Sequence, residues 1–300
     1  MTTLEAPQIQ PENKENQEKK SLVALHFMRH GEKESDKTKS DNEIALTVKG
    51  KEQALGRSVS GSDINQSVAF GSPRKRTQET AVLAMTGSQN EITGEESFDE
   101  LKTKINANLK VGSKIGSDER LNFHDDFSTP YGKELLDAFM KGELLKFLVD
   151  RSDIRAEELK DMEGSTYSRM AKGVAKIILK YVTISSRWHG LVNDSEKNYS
   201  EKLDRFFGSH QGLLECFLAK VIEKTQGQAK RDEFVSILGN KGFDFTEGFD
   251  FTEGFDVEII DTGDPEDFKI HITYKKDIPE GEPFVFDEDV NIELLKDIAS

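Results

Sequence analysis

Residues 22–32 read LVALHFMRHGE, a short apolar run that ends in a basic, glycine-containing tetrapeptide. The run from Leu22 to Met28 shows little alternation, which is typical of a strand buried on both faces of a parallel sheet. His26, inside the run, is interpreted as a packed core histidine. The tetrapeptide Arg29-His30-Gly31-Glu32 follows where such a strand gives way to a loop. The stretch therefore predicts an inner strand of an α/β fold with an arginine and a histidine at its end.

Two later segments supply companions to this tetrapeptide. Residues 72–81 read SPRKRTQETA and carry cations, and residues 208–212 read GSHQG and carry a second imidazole. A neutral imidazole can attack phosphorus in line and form a phosphohistidine, which divides one difficult displacement into two easier ones. Fixed guanidinium groups stabilise the negative charge of the transferred group, because their planar forks match phosphate oxygens.

This chemistry assigns candidate roles to four side chains. His30 is the candidate nucleophile, and Arg29, Arg76 and His210 are the candidate phosphate ligands. Gly31 lets the backbone pass close to the bound group. We expect no cofactor and no metal, because the reaction requires none and the sequence has no clustered spacing of metal ligands.

Residues 67–85 have the pattern of a strand, a tight turn and a helix. Ser67 to Phe70 is predicted as a strand, Gly71-Ser72-Pro73 as the turn, and Thr77 to Met85 as the helix. This geometry points the first helical turn at a phosphate, where free amides and the helix dipole favour an anion. Arg76 lies in that turn, whereas Arg74 is interpreted as a solvated surface arginine.

Four segments, taken in order, resemble the motifs of a known family. They are residues 29–32, residues 46–54 (LTVKGKEQA), Ser72-Pro73 with Arg76 and Thr80-Ala81, and Ser209-His210. Together they resemble the histidine phosphatase superfamily, in the branch that includes the cofactor-dependent phosphoglycerate mutases. The branch of secreted acid phosphatases and phytases is less similar, because Gln211 follows the second histidine where that branch has aspartate.

The resemblance implies a fold and a phosphate site. The fold would be a three-layer α/β/α sandwich with a mainly parallel central sheet and a helical cap insertion. His30 would be phosphorylated, and the phosphate-binding residues would be Arg29, Gly31, Glu32, Arg76, Ser209 and His210.

The general acid is the least determined element. In the mutases a glutamate follows an Arg-Leu-Asn stretch, but Arg120-Leu121-Asn122 is followed here by Phe123. The nearby carboxyl groups that could deliver a proton belong to Asp125, Asp126 and Glu119. Because a general acid must lie within hydrogen-bond reach of the leaving oxygen, sequence alone leaves all three open.

Composition gives the expected class and location of the protein. With 300 residues and 35% hydrophobic content the chain can bury a substantial core. A single cysteine, Cys216, fits a reducing compartment and is interpreted as a small core residue. No apolar stretch suggests a signal peptide or a membrane span, so we expect a soluble cytoplasmic protein.

Acidic charge is concentrated near the C-terminus. Residues 241–300 contain 18 Asp and Glu against 5 Lys, a net charge of −13 out of −15 for the whole chain. Such a region repels nucleic acid and anionic membranes, so we expect neither as a partner. It is interpreted as a solvated, solubilising face, and the sequence leaves the oligomeric state undetermined.

The chain divides into a leader and one catalytic domain. Residues 1–20 are predicted as a disordered polar leader, and residues 21–300 as the domain. Apolar residues at helical spacing between positions 131 and 186 predict helices in the middle. By resemblance, the insertion over about residues 120–200 would form a cap that sets substrate choice, and His124, Trp188 and His189 within it are interpreted as structural.

The C-terminal third has a strand, a helix and a hairpin. Phe206-Phe207-Gly208 is predicted to end a strand that delivers His210 to the sheet edge, and Leu213 to Ile222 to form a helix. Two hexapeptide copies, residues 243–248 and 249–254 (FDFTEG), are interpreted as a local duplication in an acidic loop or strand lead-in. A β-hairpin (257–260 and 268–274) and a short helix (291–298) complete the acidic region 241–300.

The sequence therefore predicts a metal-independent phosphatase that hydrolyses a phosphomonoester or a phosphoprotein through a phosphohistidine on His30. A phosphoglycerate mutase-type phosphotransferase is the first alternative. A non-catalytic module that binds a phosphorylated ligand is the second. The substrate would be a small phosphorylated molecule or a phosphoprotein.

Overall fold

A computed structural model describes residues 19–59, 61–87, 92–107, 109, 112–239, 248–279 and 281–300. Nearly all of the predicted leader (residues 1–20) lies outside the described residues. The first hexapeptide copy also lies outside the described residues, except for Gly248. The interpretations of the leader and of this copy therefore remain predictions.

The described residues form one seven-stranded sheet. Its strands are β1 (Ser21–Arg29), β2 (Val68–Gly71), β3 (Ile115–Ser117), β4 (Lys202–Ser209), β5 (Gly254–Asp261), β6 (Lys269–Lys276) and β7 (Phe284–Val290). The order across the sheet is β3-β2-β4-β1-β5-β6-β7. Strands β1 to β4 are mutually parallel, and β5, β6 and β7 extend the sheet from β1 in antiparallel fashion.

Nine α-helices occur within the described part of the chain. They are α1 (Val48–Gly56), α2 (Lys75–Thr86), α3 (Phe98–Asn106), α4 (Pro130–Met140), α5 (Leu144–Glu158), α6 (Tyr167–Val192), α7 (Leu213–Gln226), α8 (Gln228–Gly239) and α9 (Ile292–Ala299). A 3₁₀ turn spans Glu119–Leu121. None of these helices combines the length and the hydrophobicity that crossing a bilayer requires.

The helices cover the sheet in two layers, which gives the predicted α/β/α sandwich. Strand β1 is buried on both faces, as its sequence predicts. Val23, Leu25 and Phe27 contribute to the larger core, beneath α6 and α7. Met28 contributes to the smaller core, which packs against α2.

The carboxyl ends of three parallel strands meet at one edge of the sheet. Arg29, the last residue of β1, pairs with Ser209 of β4, and Gly71 of β2 pairs with Gly208 of β4. A Cβ atom on Gly208 would lie only 2.0 Å from the carbonyl oxygen of Thr77. Glycine at this position therefore allows the first turn of α2 to approach β4 directly.

Several sequence predictions are confirmed by the elements observed. The strand, turn and helix predicted over residues 67–85 are β2, the turn that follows it, and α2. The predicted hairpin is β5 with β6, and the predicted terminal helix is α9, which Asn291 caps. The buried positions of His26 and Cys216 are also as predicted.

The sequence did not predict β3, β7, α3 or α8. Strand β7 reads FVFDEDV, and its acidic residues led to its interpretation as part of a solvated face. Phe284, Phe286 and Val290 are nevertheless buried in the core, and they alternate with more exposed residues, as in an edge strand with one packed face.

Candidate active site

His30 lies immediately after β1, at the edge where the parallel strands end. Its backbone N–H donates to Ser209 O at 2.9 Å, which continues the pairing of β1 with β4. Its Nδ1 lies 2.7 Å from Gly31 O. Because a carbonyl oxygen can only accept, the proton is assigned to Nδ1 and the lone pair to Nε2. Nε2 is therefore the atom that can act as a nucleophile.

The surroundings of His30 keep its ring neutral. Burial lowers the pKa of this imidazole well below its usual value of 6.5, and the positive charges of Arg29 and Arg76 lower it further. The hydrogen bond to Gly31 O acts in the opposite direction without reversing the shift. A neutral ring at neutral pH keeps its lone pair available for attack on phosphorus.

The second imidazole, that of His210, faces the first. The two ring centroids are 5.6 Å apart in an edge-on arrangement. The Nε2 atom of His210 lies 2.8 Å from the hydroxyl oxygen of Ser72, which is fully buried in the turn after β2. Burial and the charges of neighbouring groups lower the pKa of His210 well below 6.5. Sequence reasoning missed Ser72 as a partner of this histidine.

Arg76 lies in the first turn of α2, as predicted, and is paired with a carboxylate. Its Nη1 donates to Asp41 O at 2.8 Å and to Asp41 Oδ1 at 3.1 Å, and its Nη2 donates to Asp41 Oδ2 at 3.0 Å. Thr80 connects this turn to the loop after β1, since its hydroxyl donates to Arg76 O at 2.8 Å and accepts from Gly31 N at 3.1 Å.

Asp41 also binds other cations of the site. Burial alone would raise the pKa of its carboxyl group, but the hydrogen bonds from Arg76 and the charges of Arg76 and Arg74 lower it overall. Arg74 Nη1 lies 2.8 Å from Asp41 Oδ2, and Lys33 Nζ lies 3.7 Å from Asp41 Oδ1. Asp41 is therefore an ionised residue at the centre of a cluster of three cations.

The interpretation of Arg74 as a solvated surface residue is wrong. Its side chain is 11% exposed, and its Nη2 donates to Asp125 Oδ1 at 2.7 Å and to Phe123 O at 2.6 Å. These partners come from segments far from Arg74 in sequence, so no local pattern could have indicated them.

Arg29 is buried beside the same edge, in a wall formed by the second hexapeptide copy, residues 249–254. Its Nη1 donates to Phe249 O, and its guanidinium lies 4.7 Å from the ring centroid of Phe251. Backbone bonds fix the same contact: Arg29 N donates to Glu253 O at 2.9 Å, and Thr252 N donates to Arg29 O at 3.1 Å. Burial lowers the pKa of Arg29 from its usual value.

The same wall reaches the candidate nucleophile. The Phe251 ring centroid lies 6.2 Å from that of His30. From the other side, the buried carboxylate of Glu215 on α7 accepts a hydrogen bond from Phe249 N at 2.8 Å. The second hexapeptide copy thus leads into β5, which agrees with its interpretation as a strand lead-in. It also forms one wall of the candidate site. Sequence reasoning missed Phe251 because a duplicated acidic segment carries no signal for such a contact.

Two predicted phosphate-binding residues use their side chains elsewhere. The carboxylate of Glu32 accepts from the Thr47 hydroxyl at 3.1 Å and pairs with Lys49 Nζ at 3.0 Å. The Ser209 hydroxyl donates to Leu121 O at 3.0 Å. Gly31 packs against α1, and a Cβ atom there would lie 2.4 Å from Gly50 O. These residues shape the backbone of the loop that presents His30.

The three candidate acids lie in different surroundings. Asp125 is joined to the cation cluster through Arg74. Asp126 closes a turn, since its Oδ1 accepts from Ser128 N at 2.9 Å and from the Ser128 hydroxyl at 2.6 Å. Glu119 accepts from Asn122 Nδ2 at 3.3 Å at the 3₁₀ turn. Only Asp125 of the three contacts a residue of the cluster around Asp41.

Comparison with known families agrees with this arrangement. The model of the histidine phosphatase superfamily (branch 1) matches residues 25–161. The matched segment runs from β1 to the loop after α5, and it includes three of the four motifs whose resemblance to that superfamily the sequence shows. No curated protein matched the sequence.

Solved structures with a similar fold include three hydrolases. The native structure of a mycobacterial glucosyl-3-phosphoglycerate phosphatase shares 11% identity at a TM-score of 0.42 and covers 81% of this chain and 91% of its own. Mycobacterial hydrolase 1 shares 12% sequence identity at a TM-score of 0.41, and the match covers 85% of this chain and 97% of the hydrolase. A phosphoserine phosphatase mutant from Entamoeba histolytica, in complex with phosphoserine, shares 14% sequence identity at a TM-score of 0.35. The match covers 91% of this chain and 99% of that protein.

Proposed function

We propose that this protein is a phosphatase that hydrolyses a phosphomonoester through a phosphohistidine on His30. The observation that carries the proposal is the hydrogen bond of His30 Nδ1–H to Gly31 O, which places the lone pair on Nε2 of a ring that burial and the nearby arginines keep neutral. A family match alone assigns no activity, because function depends on the site.

In the first step, Nε2 of His30 attacks phosphorus and the bond from phosphorus to the ester oxygen breaks. The electron pair of that bond goes to the leaving oxygen, which takes a proton. Arg29, Arg76 and His210 are the proposed ligands of the transferred group, because fixed donors of this kind stabilise charge without reorganising during the reaction.

In the second step, water attacks the phosphohistidine, the nitrogen–phosphorus bond breaks, and inorganic phosphate leaves with His30 neutral again. Asp125 is the proposed residue for both proton transfers, giving a proton to the leaving oxygen and taking one from the water. Its support is the contact with Arg74, through which it joins the cluster of Arg76 and Asp41. No residue in the mechanism calls for a metal ion or an organic cofactor.

The test is a panel of phosphoesters assayed with wild type, His30→Ala and His271→Ala, each with and without a chelator. His271 is a matched control, since it lies on β6 and pairs with Asp287 and Asp289. We expect phosphate release by wild type and by the control, unaffected by the chelator, and a loss of at least about 10³-fold in His30→Ala.

Two other outcomes would contradict the proposal. Phosphoryl exchange between sugar acids without release of phosphate would indicate a mutase. Tight binding of phosphoesters with no turnover by wild type would indicate a binding module.

A further inference from the structure

A cavity of about 450 Å³ opens beside the candidate site and shares Arg74 with it. One wall comes from residues 122–126, which follow the 3₁₀ turn, and another from the start of α4. The third comes from residues 160–164, between α5 and α6. Since Arg74 Nη1 binds the same Asp41 carboxylate as Arg76, the cavity begins next to the proposed phosphate position. If the proposed function is correct, this cavity receives the alcohol part of the substrate.

The charged groups that line the cavity are mostly acidic. They are the carboxylates of Asp126, Asp161 and Glu163, beside the proposed proton donor Asp125, against the cations of Arg74 and Lys160. Backbone hydrogen bonds, led by that from Gly164 N, lower the pKa of Asp161, and the Ser128 hydroxyl lowers that of Asp126. Both are therefore ionised at neutral pH. With Asp125 protonated, as the proposed proton donor is before the first step, three carboxylates and two cations give the cavity a formal charge of −1.

The cation cluster has little positive charge to spare for the cavity. Around the two histidines lie Arg29, Arg74, Arg76 and Lys33, while Asp41 and Asp125 are paired with Arg74 and Arg76. Asp41 offsets part of this positive charge, and Glu215, Asp250 and Glu253 act on Arg29 from the other side. A second anionic group on the substrate would meet the carboxylates of the cavity, where Lys160 is the cation besides Arg74 in the lining.

The rest of the lining combines polar residues (Asn122, His124 and Thr129) with apolar ones. Phe123, Tyr131 and Leu135 are buried there, and Met162 lies at the surface. Such walls accommodate the carbon skeleton of a small molecule, and a volume of this size suits one.

From these observations we infer that the substrate is a phosphomonoester of a small alcohol that is neutral or positively charged. Phosphorylated acids are poor substrates, because their carboxylate is placed among like charges in a partly enclosed cavity. The inference rests on the proposed function and narrows its substrate class.

The test compares esters that differ in one charged group. Glycerol 3-phosphate and 3-phosphoglycerate share a three-carbon skeleton, but only the second carries a carboxylate. Phosphoethanolamine and phosphoglycolate form a similar two-carbon pair, in which an ammonium group replaces the carboxylate. We expect kcat/KM to be at least about tenfold higher for the first member of each pair. Equal values, or a preference for the acids, would overturn the inference. Failure to hydrolyse any of the four esters or p-nitrophenyl phosphate would instead overturn the proposed function.

A charge reversal in the cavity tests the cause of the preference. Glu163→Lys should reduce the ratio of glycerol 3-phosphate to 3-phosphoglycerate by at least about threefold, and more at low salt. The matched control is Glu196→Lys, an exposed site outside the cavity with the same change in net charge. An unchanged ratio in Glu163→Lys, or an equal shift in the control, would contradict selection by the cavity charge.

Discussion

The guanidinium of Arg76 binds both carboxylate oxygens of Asp41, with Nη1 at 3.1 Å from Oδ1 and Nη2 at 3.0 Å from Oδ2. This is the bidentate geometry in which an arginine also holds two phosphate oxygens. A phosphoryl group that reaches Arg76 therefore meets a carboxylate that uses the same donors. We therefore expect Asp41 to set the strength of anion binding in the candidate site.

Asp41→Asn should consequently strengthen binding of inorganic phosphate. Removing one negative charge beside Arg76 and Arg74 lowers the inhibition constant of phosphate by about tenfold. The control is Asp36→Asn, on the same segment, where Asp36 binds Thr38 and Lys39. Weaker inhibition by phosphate in Asp41→Asn would mean that the carboxylate organises the arginines more than it competes with the ligand.

Asp125→Asn should slow esters with poor leaving groups far more than those with good ones. A proton delivered to the leaving oxygen matters most when that oxygen is strongly basic, so kcat for an alkyl phosphate falls by about 10²-fold or more while that for p-nitrophenyl phosphate changes little. Asp126→Asn provides the comparison, since Asp126 caps a turn. Equal losses on both substrates would remove Asp125 from the proton transfer.

Phe251→Leu should reduce kcat/KM by about tenfold with the fold intact. The ring centroid lies 4.7 Å from the Arg29 guanidinium, and without the ring that group is freer to leave the orientation in which the proposed function has it bind phosphate. Phe139→Leu on α4, where the ring is exposed, serves as the control. Activity equal to wild type would show that the backbone bonds of residues 252 and 253 orient Arg29 without the ring.

His26 should make stability depend on pH. It lies within β1, with Nε2 at 2.9 Å from Asp204 Oδ1 and Nδ1 at 2.7 Å from Asp256 Oδ1. Burial lowers its pKa, but the hydrogen bonds and charges of the two aspartates raise it overall. The two aspartates in turn have lowered pKa values, because the pairing with His26 outweighs burial.

The direction of the dependence follows from these shifts. A raised histidine pKa contributes stability below its ordinary value of 6.5, and the contribution is lost as pH rises through the folded-state value. The lowered pKa values of the two aspartates contribute stability above the ordinary aspartate value of 3.8. That contribution is lost as pH falls through the folded-state pKa values. We expect His26→Gln to cost about 1–3 kcal/mol between those two values. Thermal unfolding from pH 4 to 9 measures this, and a gap between wild type and variant that widens at alkaline pH would contradict it.

The parts of the fold that the sequence predicted are those with strong local patterns. The apolar run of β1, the strand-turn-helix around Gly71 and the alternation of β5 and β6 each carry their own periodicity. The convergence of His30 with His210 was also predictable, because both follow strands of one parallel sheet.

The residues that the sequence did not reveal are held by contacts between distant segments. Arg74 binds Asp41 and Asp125, from two separate loops, and Phe251 reaches Arg29 across more than 200 residues. No short pattern distinguishes such an arginine from a solvated one. The predicted cap over about residues 120–200 remains a prediction, for which the cavity beside Arg74 provides a substrate-binding rationale.

The central claim, phosphoryl transfer to His30, can be tested by quenching the enzyme during turnover of a radiolabelled ester with a good leaving group. Such a leaving group makes formation of the phosphoenzyme faster than its hydrolysis, and a nitrogen–phosphorus bond survives alkali but breaks in acid. The account predicts alkali-stable, acid-labile label on the peptide that contains His30, and none in His30→Ala. Turnover without this label, or label on another residue, would contradict it.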